Sequence, residues 1–443
     1  MSKFRVIVLG AGPAGLFTAH GLAAANIDYI VLERQPEIVR YKGALIIIWP
    51  PFLRLLDQLG IYEHVKKFST PMVSKTSFTH SGEPLCTGDV FTVLEKDLGY
   101  PTLGLSRGNL IRALYETLPG HETNVRANAN ATNIEQHKDG VRVTLADGSV
   151  VEGSVVIGGD GVHSLTRELI QRLGKDPSAT GGDLKPTSPM VANFMSLFGH
   201  TRSDRAGIAI GDFAEAHGPG MAAQSARLRD SIYFTILKRL DKPISDRRYF
   251  TAEEASKFAE EMADMTVFPG VKLKEIWPLR EETNAVLLHQ EEGIAEKWHH
   301  DRIAIVGDAA HKMTSINGQG AMSAVSSATV LVNCLRETLK KNPRPSTEEI
   351  RAAFTKYEIL RKEHAGRVIK LGMTLSRFIT WTGEGMEATD RQASRELDTV
   401  QESLKRLMPV LVASPIFDFL PFEGKEGRIP WVVDGELPIR PRL

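Results

Sequence analysis

The chain has 443 residues, which exceeds one typical domain and predicts two or three folding units. Its 54 Lys and Arg residues balance 54 Asp and Glu residues, and this zero net charge excludes a general electrostatic attraction to nucleic acid or to an anionic membrane. Two cysteines, Cys86 and Cys334, and the lack of any apolar stretch of about twenty residues predict a cytoplasmic protein without a disulfide framework or a membrane span.

The N-terminal segment has the pattern of a dinucleotide-binding βαβ unit. Residues 4–9 read FRVIVL, a continuous apolar run that is typical of a strand buried on both faces. Gly10, Gly12 and Gly15 follow in the spacing G-x-G-x-x-G, and a helix is predicted over residues 16–25. A second apolar run, 29–32, ends at Glu33.

Each of these residues has a physical reason to be there. Gly10 permits the tight turn out of the strand, Gly12 leaves the backbone open to a pyrophosphate, and Gly15 lets the helix pack closely on the sheet. An acid in the position of Glu33 can hydrogen-bond ribose hydroxyls, and it disfavours a ribose 2′-phosphate. The segment alone therefore predicts FAD or NAD(H), and the alternative is a purely structural βαβ unit.

The first half of the chain continues with alternating strands and helices. The predicted elements are a strand at 43–49, a helix at 51–59 and irregular chain at 69–100. Residues 105–109 lead into a helix through 118, capped by Ser106 or Asn109, and a β-meander at 124–158 and a helix at 162–173 follow. Two Asp-Gly pairs, at 139–140 and 147–148, mark hairpin turns in the meander. The meander ends in a buried strand that runs into Asp160-Gly161.

A linker rich in Gly, Ser, Thr and Pro is expected at 177–189, and a second region follows it. Short β runs at 191–197, 207–211 and 231–237 predict a second, antiparallel sheet, with an amphipathic helix at 252–265. The chain then returns to the first domain through residues 277–288. A buried strand at 302–306 ends at Gly307-Asp308, and Gly318-Gln319-Gly320-Ala321 opens a helix to about residue 335. Residues 346–410 are predicted to be mostly helical.

Three of these segments together resemble a known superfamily. They are residues 10–15 with Glu33, Asp160-Gly161, and Gly307-Asp308 followed by Gly318-Gln319-Gly320. The combination is similar to the single-component (class A) FAD-dependent aromatic hydroxylases and epoxidases, whose fold is that of para-hydroxybenzoate hydroxylase. Residues 311–314, 291–293 with Trp298, and 417–421 further resemble fungal secondary-metabolism monooxygenases, which include indole-diterpene and meroterpenoid epoxidases.

The resemblance implies an α/β fold with a Rossmann-like FAD-binding domain, a second antiparallel-sheet substrate domain and a C-terminal helical region. We assign residues 1–75, 100–180 and 283–340 to the FAD-binding domain. Residues 76–99 and 183–282 are assigned to the substrate-binding domain, and residues 341–443 to the helical region and tail.

The resemblance also implies which residues bind FAD. Asp308 is expected at the ribityl or ribose, Arg107 near the flavin and its phosphates, and the amides of residues 318–321 at the flavin N1/O2 edge. Asp160 and Gly161 are expected to serve both FAD and the nicotinamide donor, and the alternative is a plain turn before a helix. The full predicted set is Gly10, Gly12, Pro13, Ala14, Gly15, Glu33, Arg34, Ala44, Ile47, Arg107, Ala131, Asp160, Gly161, Asp308, Gly318, Gly320 and Ala321. No metal is expected.

Candidates for catalysis are less clear from sequence. Tyr233 and Arg229, on or beside a strand of the second sheet, are the polar candidates facing the substrate, although a Tyr in an alternating strand is more often packing. His311 is interpreted as structural. An apolar pocket could be lined by Trp49, Phe52, Phe194 and Phe198, for which ordinary core packing is the alternative.

The chain departs from the family pattern at several positions. Ser315 stands where the family usually has Pro, Met322 where it has Asn, and Ser326-Ser327 where it has an acid pair. Ile47 stands where the epoxidases commonly have Gly, which is expected to narrow the pocket. Because of these changes, altered chemistry and a loss of oxygenation remain alternative interpretations.

The function implied is an FAD-dependent monooxygenase that uses NADH or NADPH and O2 to epoxidise or hydroxylate an apolar aromatic or isoprenoid molecule through a flavin C4a-hydroperoxide. One dinucleotide motif fits tight, non-covalent FAD and a transient nicotinamide donor. The alternatives are another flavin enzyme, such as an oxidase, cyclase or halogenase, and a flavin-binding protein without turnover. The Trp-x-Trp-x-Ile-Pro signature of halogenases is missing. A monomer or homodimer is expected.

Overall fold

The computed structural model describes residues 4–41, 44–176, 190–202, 208–281 and 285–432. The described strands are β1 (Arg5–Leu9), β2 (Asp28–Leu32), β3 (Leu45–Ile48), β4 (Thr70–Pro71), β5 (Ser74–Thr79), β6 (Pro84–Gly88), β7 (Leu103–Ser106), β8 (Val125–Arg126), β9 (Ala131–His137), β10 (Gly140–Leu145), β11 (Val150–Gly153), β12 (Val155–Gly158), β13 (Val191–Thr201), β14 (Asp212–Gly218), β15 (Met221–Arg227), β16 (Ile232–Ile244), β17 (Thr266–Phe268), β18 (Val271–Lys272), β19 (Val286–Ile294), β20 (His299–His300), β21 (Ile303–Ile305) and β22 (His311–Lys312).

The described helices are α1 (Pro13–Ala24), α2 (Pro50–Gln58), α3 (Tyr62–Lys67), α4 (Val90–Leu98), α5 (Arg107–Glu116), α6 (His121–Asn124), α7 (Leu165–Leu173), α8 (Ala252–Glu261), α9 (Leu273–Ile276), α10 (Gly320–Lys341), α11 (Thr347–Ile379), α12 (Met386–Glu396) and α13 (Thr399–Val412). In this part of the chain, every helix is too short or too polar to cross a bilayer.

A six-stranded sheet in the order β20-β21-β12-β1-β2-β8 organises the N-terminal region. β1 pairs in parallel with β2 and β12, and β12 pairs in parallel with β21. Residues 6–9 of β1 are buried, as expected of a strand covered on both faces. Because parallel strands end at the same edge of a sheet, the loops after β1, β2, β12 and β21 meet there. The predicted Rossmann-like unit is confirmed.

Two glycines allow α1 to lie close against this sheet. Gly10 has φ of +96°, and a Cβ there would lie 2.6 Å from the carbonyl oxygen of Gly159. A Cβ on Gly15 would lie 1.9 Å from the carbonyl oxygen of Gly10. Any side chain at Gly15 would therefore push the first turn of α1 away from β1.

The second sheet has eight strands in the order β22-β19-β13-β16-β15-β14-β5-β6. All its pairings are antiparallel except the one between β14 and β5. One hydrophobic cluster joins its buried residues, such as Phe234, to Phe258 of α8 and Phe268 of β17. The predicted second sheet is confirmed, with one parallel pair that the sequence did not indicate.

The expectation of irregular chain at 69–100 is wrong. This segment contains β4, β5, β6 and α4, and β5 joins the second sheet beside β14. The sequence of β5 is SKTSFT, and its first three residues are only half-buried. A strand with few aliphatic residues at a partly covered position does not produce the apolar alternation by which strands are recognised.

Several element boundaries also differ from expectation. The run at 208–211 is not a strand, since β14 begins at Asp212, and Gly207 and the expected linker at 177–189 lie outside the described residues. β19 pairs with β13 and so lies in the second sheet, although residues 283–340 were assigned to the FAD-binding domain. The first hairpin turn falls at residues 138–139, because Gly140 already pairs with His137. The other domain boundaries stay predictions.

The chain after the sheets is helical, as predicted, and its end returns to the first domain. α11 begins at a capping box in which Ser346 and Glu349 exchange hydrogen bonds. After α13, Phe417 is fully buried and its ring stacks on Phe17 of α1 with 5.9 Å between centroids. The Gln58 amide accepts from Phe417 N (2.9 Å) and donates to Phe417 O (2.7 Å).

This contact predicts that Phe417 contributes strongly to stability. We expect Phe417→Ala to lower the free energy of unfolding by about 3–5 kcal/mol, because it leaves a cavity against α1. Urea denaturation with FAD in excess measures the change. Ile359→Ala is the control, since Ile359 is 69% exposed and its loss should cost less than about 0.5 kcal/mol. Equal, small effects of both changes would show that the C-terminal segment is not part of the core.

Candidate active site

A cavity of about 520 Å³ lies at the carboxyl edge of the six-stranded sheet. Its lining includes every predicted cofactor residue except Gly15, namely Gly10, Gly12, Pro13, Ala14, Glu33, Arg34, Ala44, Ile47, Arg107, Ala131, Asp160, Gly161, Asp308, Gly318, Gly320 and Ala321. Gly15 lies beneath this surface, at the contact between α1 and β1 described above. The cavity, called the edge cavity below, thus collects residues from distant parts of the chain.

The turn after β1 is tied to the end of β2 through Glu33. Glu33 Oε2 accepts a hydrogen bond from the Ala11 N–H (2.8 Å), and Oε1 accepts one from the Gln35 N–H (2.9 Å). A Cβ on Gly12 would make only an ordinary van der Waals contact, with Arg107 Nη2 at 3.9 Å, and would meet no backbone atom. α1 starts immediately after Gly12 without a side-chain cap. Its N-terminal amides are therefore suited to a phosphate.

Four cationic side chains line the edge cavity: Arg34, Arg40, Arg107 and Lys312. Arg40 Nε is buried and has no hydrogen-bond partner within the described chain. Burial and then the neighbouring Arg40 lower the pKa of Arg107, although a guanidinium stays protonated in proteins. These cations, of which one carries an unused buried donor, fit the charge of a diphosphate.

The two acids at the other strand ends have different surroundings. Asp160 already accepts hydrogen bonds from the start of α7. Its Oδ2 accepts from the Thr166 N–H and from the Thr166 hydroxyl, both at 3.0 Å. Asp308 pairs with Lys312 Nζ at 2.9 Å and keeps 38% of its side chain exposed. Burial lowers the pKa of Lys312, but Asp308 opposes this and leaves the pKa raised. Asp308 is therefore the more available hydrogen-bond acceptor of the two.

The loop before α10 completes the edge cavity. Gly318 has φ of +61°, and Trp49 Nε1 donates to its carbonyl oxygen at 3.0 Å. Ser315 N donates to Gln290 Oε1 (3.1 Å), and Gln290 Nε2 donates to Ser315 Oγ (3.3 Å). Gln290 thereby holds the loop at Ser315, where the family resemblance leads us to expect Pro. α10 then begins without a side-chain cap, which leaves its N-terminal dipole facing the cavity.

A second, mainly apolar cavity of about 440 Å³ adjoins the first. The two cavities share Leu45, Ile47, Ser315 and Gly318 in their linings. The remaining lining comes from the second sheet, from α4, α11 and α13, from Trp49 before α2, and from Ile316 and Asn317 before α10. Its aromatic members are Trp49, Phe91, Phe198, Phe213, Tyr233 and Phe378. A flat cofactor in the edge cavity can therefore meet an apolar guest at the shared wall.

The two candidates for catalysis are placed differently. Tyr233 lines the apolar cavity, where its ring stacks on His200 with 4.8 Å between centroids, and burial raises its pKa. Arg229 lines a neighbouring polar cavity of about 730 Å³, which shares Tyr233 with the apolar cavity and Arg107 with the edge cavity. Arg229 itself is not part of the lining of the apolar cavity. The structure therefore brings Tyr233, and not Arg229, to the apolar cavity.

The four aromatic candidates divide in the same way. Trp49 and Phe198 line the apolar cavity. Phe52 packs edge-on against Phe17, with 5.8 Å between centroids, and Phe194 belongs to a separate cluster with Ile316 and Ile379. Phe52 and Phe194 are therefore core residues, which was the alternative interpretation.

Several lining residues were not found by sequence reasoning. In the edge cavity these include Arg40 and Asn130, which lie in loops without a recognisable motif, and His163, which follows the Asp160-Gly161 turn. In the apolar cavity they include Lys75 and Glu215. The sequence did contain one signal, because Glu215 and His217 alternate in FAEAHG and so project from one face of a strand.

His311 is buried and takes no part in lining either cavity. Its Nε2 is 2.8 Å from Ser327 Oγ, and its ring lies 5.3 Å from that of Trp298. Burial, aided by the charge of Arg361, lowers its pKa to about 3. This neutral, hydrogen-bonded ring supports the structural interpretation.

The lowered pKa of His311 predicts a pH dependence of stability. An unfolded histidine takes up its proton near pH 6.5, whereas folded His311 does so only near pH 3, so the folded state binds fewer protons between these values. The free energy of unfolding should therefore fall as pH drops below about 6.5, by up to about 1.4 kcal/mol per pH unit from this residue. The free energy of unfolding of the His311→Asn variant should fall less steeply between pH 7 and pH 4, as measured by urea denaturation at each pH. Parallel curves would contradict the burial of a neutral His311.

The comparisons with known proteins agree with this geometry. A family model described as an FAD binding domain matches residues 3–369. The FAD-dependent monooxygenase srdH of Neurospora crassa is 35% identical over 441 residues, covering 97% of this chain and 98% of that protein. The FAD-dependent monooxygenase ausM of Emericella nidulans is 30% identical, covering 96% of this chain and 89% of that protein.

Solved structures show the same fold at lower identity. HpxO of Klebsiella pneumoniae, complexed with FAD and uric acid, has a TM-score of 0.74 at 21% identity and covers 91% of this chain and 97% of that one. CtdE, in complex with FAD and substrate, has a TM-score of 0.70 at 18% identity and covers 91% and 100%. The glycine turn, the cations and the open helix N-termini of the edge cavity fit FAD. The chain therefore belongs to the FAD-dependent monooxygenases that share this FAD-binding domain, and FAD is its cofactor.

Proposed function

We propose that this monooxygenase uses NADH or NADPH and O2 to epoxidise or hydroxylate an apolar aromatic or isoprenoid molecule, in fungal secondary metabolism. The observation that carries the proposal is the wall shared by the edge cavity and the apolar cavity, at Leu45, Ile47, Ser315 and Gly318. We further propose a cytoplasmic location and a monomer or homodimer.

Each side of the shared wall has a separate task. In the edge cavity, Glu33 and Asp308 would hold the ribose and ribityl hydroxyls, and Arg107 with the amides after Gly12 would hold the diphosphate. When bound, FAD would supply the activated oxygen. The apolar cavity would exclude water and orient the substrate, and Tyr233 would be a polar group within reach of it.

The relatives support the reaction type and leave the substrate open. Proteins that align over nearly the whole chain, srdH and ausM among them, are named FAD-dependent monooxygenases. An alkene substrate would need little proton transfer, whereas a phenol would favour a base. The apolar cavity contains Glu215, but its carboxylate is already paired with Lys75.

The test measures NADH and NADPH oxidation, O2 uptake and product mass with the FAD-loaded enzyme and a panel of prenylated phenols and indoles. We expect one panel member to accelerate nicotinamide oxidation and to gain one oxygen atom from 18O2. Stoichiometric hydrogen peroxide without a labelled product would instead indicate an oxidase. Failure of either nicotinamide to reduce the FAD would indicate a binding protein without turnover.

A further inference from the structure

The apolar cavity is lined by three charged side chains: Lys75 and Glu215, which form an ion pair, and Arg406 of α13, which is exposed. Lys75 of β5 and Glu215 of β14 both line it, and Lys75 Nζ lies 2.6 Å from Glu215 Oε1. The side chain of Glu215 is only 2% exposed. Charged groups are costly in an apolar cavity unless they are paired, so their presence there calls for an explanation beyond packing.

Glu215 is held in place from two further directions. His217 Nε2 lies 3.1 Å from Glu215 Oε1, and Gln224 Nε2 donates to Glu215 Oε2 at 2.7 Å. His217 Nδ1 in turn lies 2.7 Å from Asp390 Oδ2, which also accepts from Trp381 Nε1 at 2.8 Å. The carboxylate thus has a fixed position at the end of a buried network.

The charges within this network balance. Burial raises the pKa of Glu215, but Lys75 and His217 outweigh that and leave it far below its usual range. Burial lowers the pKa of His217, but hydrogen bonds to Asp390 and Glu215 leave it raised. Two cations, Lys75 and His217, therefore face two carboxylates, Glu215 and Asp390.

Lys75 differs from the other members because it has donors to spare. An ammonium group has three N–H donors, and Glu215 supplies the one hydrogen-bond acceptor found for it within the described chain. The Lys75 side chain keeps 29% of its surface accessible, and it lines the cavity. A purely structural ion pair would not need to leave an ammonium with unused donors in the lining of a mainly apolar cavity.

Hydrogen bonds fix the position of the Lys75–Glu215 pair relative to the loop that borders the edge cavity. Gln224 Nε2 donates both to Glu215 and to the carbonyl oxygen of Ile316, at 2.8 Å. Ile316 lies in the loop between Ser315 and Gly318, two residues of the shared wall. One glutamine side chain therefore joins the charged pair to the loop that borders the FAD.

Resting on the proposed function, we propose that Lys75 is a specificity-determining residue, which donates a hydrogen bond to a neutral oxygen of an otherwise apolar substrate. A carbonyl or hydroxyl oxygen satisfies the spare donors of Lys75 without disturbing the balanced charges. An anionic group placed at Lys75, rather than at the exposed Arg406, would also lie close to the carboxylate of Glu215. The substrate class is thus an apolar skeleton with a neutral hydrogen-bond acceptor, whose contact with Lys75 orients the rest toward the shared wall.

Three matched probes test this with the FAD-loaded enzyme in equilibrium dialysis. They are 2-acetylnaphthalene, its isosteric alkene 2-isopropenylnaphthalene, and the anion 2-naphthoate. We expect the ketone to bind at least about tenfold more tightly than the alkene, which corresponds to one hydrogen bond to a charged donor. The anion should bind more weakly than the ketone.

Variants separate the role of Lys75 from a general loss of structure. The double variant K75M/E215Q removes both charges together and should bind the ketone and the alkene equally. The single variant E215Q leaves Lys75 unpaired and should improve the binding of 2-naphthoate by about tenfold or more. K405M is the control, because Lys405 is exposed and paired with Glu402 on α13. K405M should bind the ketone more tightly than the alkene by the same factor as the original enzyme.

The outcomes distinguish this inference from the proposed function. Equal binding of ketone and alkene to the original enzyme, or an unchanged preference in K75M/E215Q, would overturn the role of Lys75 alone. Failure of all three probes to bind an enzyme that retains FAD would overturn the apolar substrate in the proposed function, and this inference with it.

Discussion

Replacement of Gly12 by valine is expected to abolish FAD binding while the protein remains folded. Gly12 has extended backbone angles, φ of −75° and ψ of 178°, which valine tolerates. The new side chain would point into the edge cavity, where the nearest described atom is Arg107 Nη2 at 3.9 Å. It would occupy the space that we assign to the pyrophosphate. We expect the Kd for FAD to rise by at least about 100-fold in fluorescence titrations.

Gly15→Ala provides the contrast to this experiment. Its Cβ would meet the Gly10 carbonyl oxygen at 1.9 Å, so the change should reduce both FAD binding and the thermal stability of the FAD-free protein. Gly12→Val should change the free energy of unfolding of the FAD-free protein by less than about 0.5 kcal/mol. A Gly12→Val variant with unchanged affinity would show that the diphosphate does not cross this turn.

Glu33→Ala is expected to produce the second large effect. It removes the proposed acceptor for the ribose hydroxyls, and it also releases the Ala11 and Gln35 N–H groups that hold the turn. A hydrogen bond to a charged group contributes about 1.5–3 kcal/mol, so the affinity for FAD should fall by roughly 10- to 100-fold. The purified variant should therefore lose its flavin during gel filtration, as absorbance at 450 nm would show.

Glu37→Ala is the matched control for this change. Glu37 is an exposed acid in the same segment after β2. Its removal alters the net charge equally, so a similar loss of flavin from both variants would indicate a general electrostatic effect. A fully yellow Glu33→Ala protein would contradict the ribose assignment.

The sequence predicted those parts of the fold in which the local backbone geometry allows only one or two residue types. Gly10 needs a positive φ, Gly15 needs the absence of a Cβ, and Glu33 ends a buried parallel strand. Such requirements restrict the residue at one position and can be read without knowing the rest of the chain. Asp160 and Asp308 were assigned from the family resemblance, which matches them because each follows a buried apolar strand.

Other features depend on contacts between distant segments. β5 is built of Ser, Lys and Thr, and it becomes a strand because β14 offers it an edge. Lys75 enters the apolar cavity for the same reason, since only the pairing of these strands brings it to Glu215. The contributions of α11 and α13 to that cavity also follow from tertiary packing. No local pattern encodes such neighbours.

The loop at Ser315 departs from the family pattern, and its effect on oxygenation stays a prediction. The missing Pro suggested an altered wall or lost oxygenation. In the structure, Gln290 holds Ser315 by two hydrogen bonds, and Trp49 holds Gly318. Rigidity that a proline ring supplies by itself is here supplied by side chains from β19 and from the residue before α2.

The central claim is that the glycine turn, the cations and the two helix N-termini of the edge cavity hold one FAD. The most direct test is the FAD content of the purified chain, measured after denaturation by absorbance and mass spectrometry. The account predicts one FAD per chain, or uptake to that ratio when FAD is added. A folded, colourless protein that takes up no added FAD would contradict it.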